Sequence, residues 1–251
     1  MWNKPQLMNA VTDLLLVAAA AALLVAVVVW IARLPLFPLR EVLVTHELRE
    51  VRHSDVENSL SGLLRGNFFS IKVEDVRQSV EQLPWVRRAE VRRQWPSRIE
   101  VSIEEHLPVA FWGQATGQLV NSYGEVFNAA LSAPPSVPMP LLIGPTGLAP
   151  EILSHYQQAA EILKPIGRIP RALSVSPRLA VQLRLDDGMI VELGRQQPKA
   201  PVSERLLRFV EYYPSVIGAA RPRQSVVDMR YPNGFALRVA AAPATESKGK
   251  P

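Results

Sequence analysis

Apolar and charged residues alternate along PWVRRAEVRRQWPSRIEVSIEEHLP, residues 84–108. Within residues 99–103 the apolar members fall on one side of an extended chain, and the charged or polar members fall on the other. Residues 89–91 show the same alternation. The Trp-Pro-Ser sequence at 95–97 separates the two runs, and the fixed φ of proline suits a turn. The pattern therefore predicts an antiparallel hairpin with one buried face and one solvated, salt-paired face.

A short strand and two helices are predicted before this hairpin. The strand is Glu41–Val44, and Ser54 followed by Glu57 has the spacing of a capping box at the start of the first helix. The apolar residues expected on the helices are Val56, Leu60, Leu63 and Leu64 on the first, and Val73, Val76, Val80 and Leu83 on the second, which Pro84 ends. The order strand, helix, helix, strand, strand predicts a small α+β layer with both helices on one sheet face.

From Leu107 onward the pattern changes to short strands, a proline-rich bridge and two helices, which predicts a mostly β domain. The predicted strands are residues 109–112, 119–121, 125–128, 173–176, 181–186, 190–193, 225–230 and 235–239. The predicted helices are residues 150–163 and a later one with Leu206, Leu207, Val210 and Tyr213 as its apolar stripe and Pro214 as its end. Asp-Gly at 187–188 and Asn-Gly at 233–234 are signals of tight hairpin turns.

The composition is that of a folded protein large enough for two modest domains. The chain has 251 residues, of which 48% are hydrophobic and 20% are charged. It contains no cysteine, which excludes disulfides, thiol catalysis and cysteine-ligated metals. Residues 241–251 are polar and are predicted to form a disordered tail.

An uncharged run of nineteen residues extends from Leu14 to Ala32. As a helix it is about 28 Å long at ~1.5 Å per residue, which is close to the ~30 Å thickness of a bilayer core. A removable signal peptide is the alternative, but its apolar region is usually only about 7–15 residues and is followed by a small-residue cleavage site. Because this run leads directly into Arg33, we expect a retained membrane anchor.

The charges around this run leave its orientation open. Lys4 precedes it, and three arginines follow it within the next seventeen residues, at positions 33, 40 and 49. The positive-inside rule therefore disagrees with an exported C-terminal part, although the rule is weak for long translocated domains.

Net charge argues against binding to nucleic acid. Residues 36–106 hold eleven Lys and Arg against twelve Asp and Glu, so the arginine-rich hairpin lies in a nearly neutral region. Residues 107–251 hold fifteen Lys and Arg against ten Asp and Glu, which accounts for the whole net charge of +5. That excess is compatible with an acidic partner, with anionic lipid, or with solubility alone.

No constellation of catalytic residues is present in the sequence. The four histidines, at positions 46, 53, 106 and 155, have no spacing that would let two of them bind one metal. Motifs of serine hydrolases and phosphate-binding loops are absent. Asp186 and Asp187 are adjacent on a predicted strand, where neighbouring side chains point to opposite faces. We therefore expect a protein that is not an enzyme and that needs no metal or cofactor.

Several segments together resemble the FtsQ/DivIB family of single-pass bacterial cell division proteins. The most specific is GNFFSIKVEDVRQSVEQLPWVRRAEVRRQWPSRIEVSIEEHLPVAFW; others are LVNSYGEVF, LDDGMIVELGR, RLLRFVEYY and VVDMRYPNGFALRV. The order strand, helix, helix, strand, strand in the first part of the chain resembles the POTRA domain of this family. A POTRA domain by itself would be a weak signal, because outer-membrane assembly proteins also carry one. Such proteins add a membrane barrel of many strands, for which this chain has neither the length nor the segments.

The resemblance implies an organisation for the whole chain. It implies a cytoplasmic tail at residues 1–13, a transmembrane helix at 14–32, a POTRA domain at 33–106, a β domain at 107–240 and a disordered tail at 241–251. The bulk of the protein would then be periplasmic, at the division septum of the inner membrane. The implied function is that of a scaffold of the divisome that is linked to septal peptidoglycan synthesis.

The resemblance also implies partners and a binding site. The partners would be the coiled-coil division proteins FtsB and FtsL, with FtsB extending the β sheet near its last strand. Matching positions in this chain are Arg178, Arg230, Tyr231, Asn233, Gly234 and Val239, the last replacing an aromatic found in the family. We expect Tyr231 to supply apolar area, Arg178 a carboxylate contact, and Gly234 room for a close backbone. The alternative for Tyr231 and Gly234 is a buried aromatic and a turn glycine.

Two other functions remain open at this level. A periplasmic chaperone or transport accessory would use the sheet edge near residues 42–45 to hold unfolded strands, and the Arg-Tyr-Pro-Asn-Gly segment at 230–234 would then be ordinary structure. A cell-wall enzyme would turn over peptidoglycan as the purified protein.

Overall fold

The chain separates into two compact units, Met1–Glu105 and His106–Pro251. The structure is a computed structural model that describes residues 5–33, 41–44, 48–63, 68, 71–113, 116–198, 200–217, 225–232 and 234–238. The predicted tail at 241–251 lies outside these residues.

One long helix, α1, extends over Pro5–Arg33 at the start of the first unit. Its segment Asn9–Val27 is long and apolar enough to cross a membrane, with a mean hydropathy of 2.5, and none of it is buried within the protein. The uncharged run of residues 14–32 lies entirely within α1. The helix begins earlier than that run and includes Asp13.

The remainder of the first unit is a three-stranded sheet with two helices. Its elements are β1 (Glu41–Val44), α2 (His53–Leu60), α3 (Val73–Glu81), β2 (Val86–Gln94) and β3 (Arg98–Glu105). The sheet order is β1-β3-β2, with β1 parallel and β2 antiparallel to β3. The predicted α+β order is therefore confirmed, and the central strand, β3, is the last strand of this unit in sequence.

The two faces of the hairpin differ as the alternation predicts. Ile99, Val101 and Ile103 are buried, while the residues between them are exposed or half-buried. On the outer face Arg87 donates from Nη1 to Glu104 Oε1 across the strands at 2.9 Å. The charged residues of the hairpin therefore form a solvated, salt-paired face.

The predicted start and end of α2 are wrong. Ser54 lies inside the helix, the N-cap position is Arg52, and no side chain caps the helix through a hydrogen bond. The approach to α2 is fixed instead by Glu105, whose carboxylate accepts the backbone N–H groups of residues 49–51 at 2.7–3.1 Å. The helix ends at Leu60, so Leu63 lies beyond it, and Leu64 is outside the described residues. A contact with a residue distant in sequence has replaced the local cap.

The second unit is built on one nine-stranded sheet. Its strands are β4 (Pro108–Trp112), β5 (Gln118–Asn121), β6 (Val126–Asn128), β7 (Leu141–Ile143), β8 (Pro170–Val175), β9 (Ala180–Leu185), β10 (Ile190–Arg195), β11 (Val226–Asp228) and β12 (Ala236–Arg238). Their order is β12-β11-β10-β9-β8-β7-β4-β5-β6. Most neighbours are antiparallel, as predicted; β4/β7, β7/β8 and β10/β11 are parallel.

Strand β7 was not predicted, because it lies in the proline-rich bridge. Its three residues pair with β4 on one side and β8 on the other, and both neighbours are distant in sequence. Leu142 at its centre is fully buried. A strand this short has no alternation to detect, so only its neighbours define it.

Two helices, α4 (Ala149–Leu163) and α5 (Val202–Tyr212), pack against this sheet and against each other. The predicted apolar stripe of α5 is wrong in one member, because Leu207 is 54% exposed. Phe209 is completely buried instead. The buried positions are Val202, Arg205, Leu206 and Phe209, followed by Tyr213 just beyond the helix, at the spacing of a single helical face. Pro214 lies in a π-helical turn, Tyr213–Ile217, that follows α5.

The turn between β9 and β10 is where the Asp-Gly signal places it, but it is longer than two residues. Leu185 N–H bonds to Met189 O at 2.8 Å, so residues 186–188 form the loop. Gly188 has φ +85°, a conformation that glycine adopts without a steric penalty. A three-residue loop closed by glycine in this region is a common hairpin connection.

Candidate functional site

Strand β12 forms one margin of the nine-stranded sheet. It pairs antiparallel with β11 through Val226↔Arg238 and Asp228↔Ala236, and β11 is parallel to β10. Among the described residues β12 has no second strand beside it. An edge strand of this kind offers backbone N–H and C=O groups that an extended chain can pair with.

Helix α5 holds the connection between β11 and β12. Arg208 on α5 donates to the carbonyl oxygens of Tyr231, at 3.1 Å, and Pro232. The ring of Phe235, at the end of the connection, lies 5.7 Å from that of Tyr212. The connection is therefore attached to the helix at two points, through its backbone carbonyls at Arg208 and through a ring contact at Tyr212.

The side chain of Tyr231 is 55% exposed. The alternative that it is a buried core aromatic is therefore wrong. Because Arg208 holds its carbonyl, the aromatic ring is presented to solvent from a fixed backbone. A large exposed aromatic on an ordered connection has the character of an interface anchor.

Arg230 is held against the end of β11 by acidic neighbours. It donates from Nε and Nη2 to the two carboxylate oxygens of Asp228, at 2.8 and 2.6 Å, and Nη2 lies 3.2 Å from Glu192. These hydrogen bonds from Arg230 hold the pKa of the buried Asp228 below its ordinary value. The Arg230 stem crosses Gly194, where a Cβ atom would come within 2.9 Å of Cγ. The absence of a side chain at Gly194 thus makes room for Arg230.

Arg178 and Arg230 are far apart in sequence but line the same open pocket, of about 320 Å³. Arg178 is exposed in the turn between β8 and β9. The pocket is lined by Ser176, Arg178, Ala180, Gly194, Arg195, Gln197, Arg205 and Arg230. Among its arginines, Arg205 is engaged by backbone carbonyls and Arg230 by Asp228 and Glu192. Arg178 is exposed, and the bidentate geometry of arginine suits a carboxylate.

Arg205 is a pocket residue that the sequence analysis missed. It is 3% exposed and donates from Nη1 to the carbonyl oxygens of Leu193 and of Arg195, the latter at 2.9 Å. Burial lowers the pKa of Arg205. Arg205 lies on the buried face of α5. The signal that could have identified it in the sequence is a positively charged residue at an otherwise apolar position of that helix.

Of the other predicted site residues, the structure describes only Gly234. Gly234 is half-buried, a Cβ built on it would meet nothing within 4 Å, and its φ lies outside the left-handed region. It is therefore not a glycine that the turn conformation requires, and the space beside it is open. Asn233 and Val239 lie outside the described residues.

The described part of the chain holds no group of three His, Asp or Glu side chains placed to bind a metal ion. His106 stacks on Phe127, with centroids 4.1 Å apart, and its Nδ1 lies 2.9 Å from Asn121 Nδ2. Asp186 and Asp187 both approach the guanidinium of Arg168, at 3.5 and 3.4 Å. These titratable groups are engaged in contacts that tie loops together.

These features define a class of protein: one apolar helix, a POTRA-type α+β unit, and a β unit with an open sheet margin beside a basic pocket. The family model "POTRA domain, FtsQ-type" matches residues 37–106, and "Cell division protein FtsQ/DivIB, C-terminal" matches residues 110–230. The chain belongs to the FtsQ/DivIB family of cell division proteins.

Curated relatives are similar over almost the whole length. Cell division protein FtsQ of Nitrosospira multiformis is 37% identical, covering 95% of this chain and 99% of the relative. The protein of the same name from Burkholderia pseudomallei is 35% identical, covering 96% and 95%. That from Escherichia coli is 30% identical, covering 87% and 79%.

Proposed function

We propose that this cell division protein is a non-catalytic scaffold of the divisome that binds the FtsB/FtsL coiled-coil pair. The body of the protein would be periplasmic, held at the septum of the inner membrane by α1, and would link its partners to septal peptidoglycan synthesis. The proposal is carried by the open margin of β12 next to the exposed Tyr231.

The chemistry of the margin supports a polypeptide ligand. An added strand would pair with the backbone of β12, while Tyr231 would cover apolar side chains of that strand. Arg178 and Arg230 line the adjoining pocket, and Arg178, which is exposed, is suited to an acidic side chain of the same ligand. Val239 and Asn233 belong to this proposed site by their sequence positions.

The first prediction concerns Tyr231. We expect Tyr231→Ala to weaken FtsB binding by at least tenfold, because a central aromatic anchor commonly contributes about 2 kcal/mol or more. The measurement is the dissociation constant of the full-length protein for the FtsB/FtsL pair, by calorimetry in one detergent.

The matched control is Tyr123→Ala, because Tyr123 is also exposed, at 59%, but lies between β5 and β6 near the opposite margin of the sheet. That variant should bind normally. Both variants should unfold at the same temperature as the parent. An unchanged dissociation constant for Tyr231→Ala would remove this site assignment.

Strand β1 is also at a sheet margin, so the chaperone alternative has a structural counterpart. Leu43→Asp places a charge on this edge strand, on a residue that is already 42% exposed. Loss of unspecific peptide binding by Leu43→Asp, with FtsB binding intact, would favour a chaperone. Loss of FtsB binding only in Tyr231→Ala favours the scaffold.

A further inference from the structure

The turn between β2 and β3 lies at the end of the first sheet where the chain arrives from α1. Strand β1 is parallel to β3, and its first residue, Glu41, is the register partner of Arg98. Residues 34–40 connect Arg33 to Glu41 and reach no further than about 28 Å even when fully extended. The topology therefore makes this the end of the sheet nearest to α1 along the chain.

The residues of this turn, 92–98, are called the hairpin tip below. Trp95 at its centre is 78% exposed, whereas Trp85 and Trp112 are buried. An indole combines a large apolar surface with one N–H donor, and this combination favours the interface between lipid and water. Most of the surface of Trp95 is therefore available for such an interface.

The hairpin tip carries three arginines and no acidic residue. Arg93 donates from Nη2 to the backbone carbonyl of Ile71 at 2.6 Å, and Arg92 pairs with Glu90 at its border. One carbonyl acceptor uses a single donor of the five on a guanidinium. Glu100 and Glu41 are the register partners of Arg92 and Arg98, so the charges of these two arginines are opposed by acidic neighbours. Arg93 retains donors for a phosphate and is the arginine of the tip suited to an anionic surface.

We propose that the hairpin tip binds the headgroup region of the bilayer that contains α1, with Trp95 at the interface and Arg93 on anionic headgroups. This inference rests on the proposed membrane anchoring by α1. It adds a second membrane contact to the first unit, one that would set the direction of its sheet relative to the bilayer. The β12 margin in the other unit plays no part in it.

Absence of cysteine from the chain permits a direct test with a single probe. Gln94→Cys carries a nitroxide beside Trp95, and Arg88→Cys carries the same label at the opposite end of β2, opposite Glu104. Both full-length proteins are reconstituted into vesicles of phosphatidylcholine mixed with phosphatidylglycerol. Spin relaxation by a water-soluble nickel chelate and by membrane-dissolved oxygen is then measured.

We expect the probe at residue 94 to be protected severalfold from the chelate and relaxed by oxygen, and the probe at residue 88 to behave as fully aqueous. Adding Trp95→Ser to Gln94→Cys should abolish the protection without changing the unfolding temperature. Omitting phosphatidylglycerol from the vesicles should reduce the protection of the probe at residue 94. Undiminished protection would overturn the role of Arg93 in binding anionic headgroups.

Vesicle flotation separates the two levels of the proposal. If the protein floats with the vesicles but the two probes are equally aqueous, the tip contact is wrong while the anchor stands. If the protein does not float, anchoring by α1 fails and the tip proposal fails with it. Protection that appears only after adding FtsB and FtsL would overturn lipid binding and assign the tip to a protein.

Discussion

Glu105 is the residue that fixes the entry to the first helix of the POTRA unit. Its carboxylate is the common acceptor for three consecutive backbone N–H groups, those of Arg49, Glu50 and Val51. Hydrogen bonds to a charged acceptor are stronger than those to a neutral one. A neutral side chain in place of the Glu105 carboxylate could not accept all three of these backbone N–H groups equally well. Glu105 therefore connects the end of β3 to the segment before α2.

Glu105→Gln is expected to destabilise the POTRA unit by about 1–3 kcal/mol. The amide retains one oxygen acceptor but presents a donor where the second oxygen was. The measurement is hydrogen exchange, which should show lost protection at residues 49–51. Glu104→Gln, on the solvated face, serves as the control and should change little. Equal protection in both variants would contradict this role for Glu105.

Arginines of the second unit show how much a charge depends on its neighbours. Arg230 is paired with Asp228, Arg205 is buried on backbone carbonyls, and Arg178 is exposed. The three side chains nevertheless line one pocket. The residue type is the same for all three, so their different roles depend on the contacts that the fold gives each of them.

At the scale of elements, α5 links the core of the second unit to the candidate site. One face buries Leu206 and Phe209 against the sheet, and Arg208 on the same helix holds the connection between β11 and β12. A disturbance of the buried face would therefore reach the margin where a partner is proposed to bind.

Leu206→Ala should destabilise the second unit by about 2–5 kcal/mol, because Leu206 is 1% exposed and its truncation leaves a cavity. Leu207→Ala is the matched control on the same helix and should remain within about 0.5 kcal/mol of the parent, since Leu207 is largely exposed. Urea unfolding of the full-length protein measures both. Similar losses would mean that the helix face is assigned incorrectly.

At the scale of the whole molecule, the chain has two compact units, and the first of them begins with one apolar helix. The sequence-wide similarity to proteins named FtsQ places all of these parts in one family. The apolar helix and the proposed binding surface lie in different units of the chain, so a change in one is expected to leave the other folded.

Charges placed at the centre of α1 should release the protein from membranes. Each arginine at a helix centre costs about 2.5–3.5 kcal/mol on insertion, so Ala19→Arg combined with Ala22→Arg exceeds 5 kcal/mol. The measurement is resistance to alkaline extraction in a bacterial host. Ala10→Arg, near the start of the helix, is the control and should remain in the membrane fraction. Retention of the double variant would contradict a spanning helix.

Strong local periodicity is the reason that the sequence predicted most of the fold. Ile99, Val101 and Ile103 alternate because one sheet face is buried, and the uncharged run at residues 14–32 has the length and composition of a helix that can cross a bilayer. Such patterns involve residues that are close together in the sequence, so they can be detected without the structure. The hairpin, the presence of two helices in the POTRA unit and most strands of the second unit follow from them, whereas strand β7 and the bounds of α2 do not.

What the sequence could not decide depends on partners distant in the chain. Ser54 has the local pattern of a cap, but Glu105 fixes the approach to α2 from across the unit. Strand β7 exists because β4 and β8 pair with it. Likewise, the exposure of Tyr231 and the meeting of Arg178 with Arg230 follow from sheet order and helix packing. Patterns of burial are local, whereas caps, short strands and pockets are made by contacts that only the folded chain brings together.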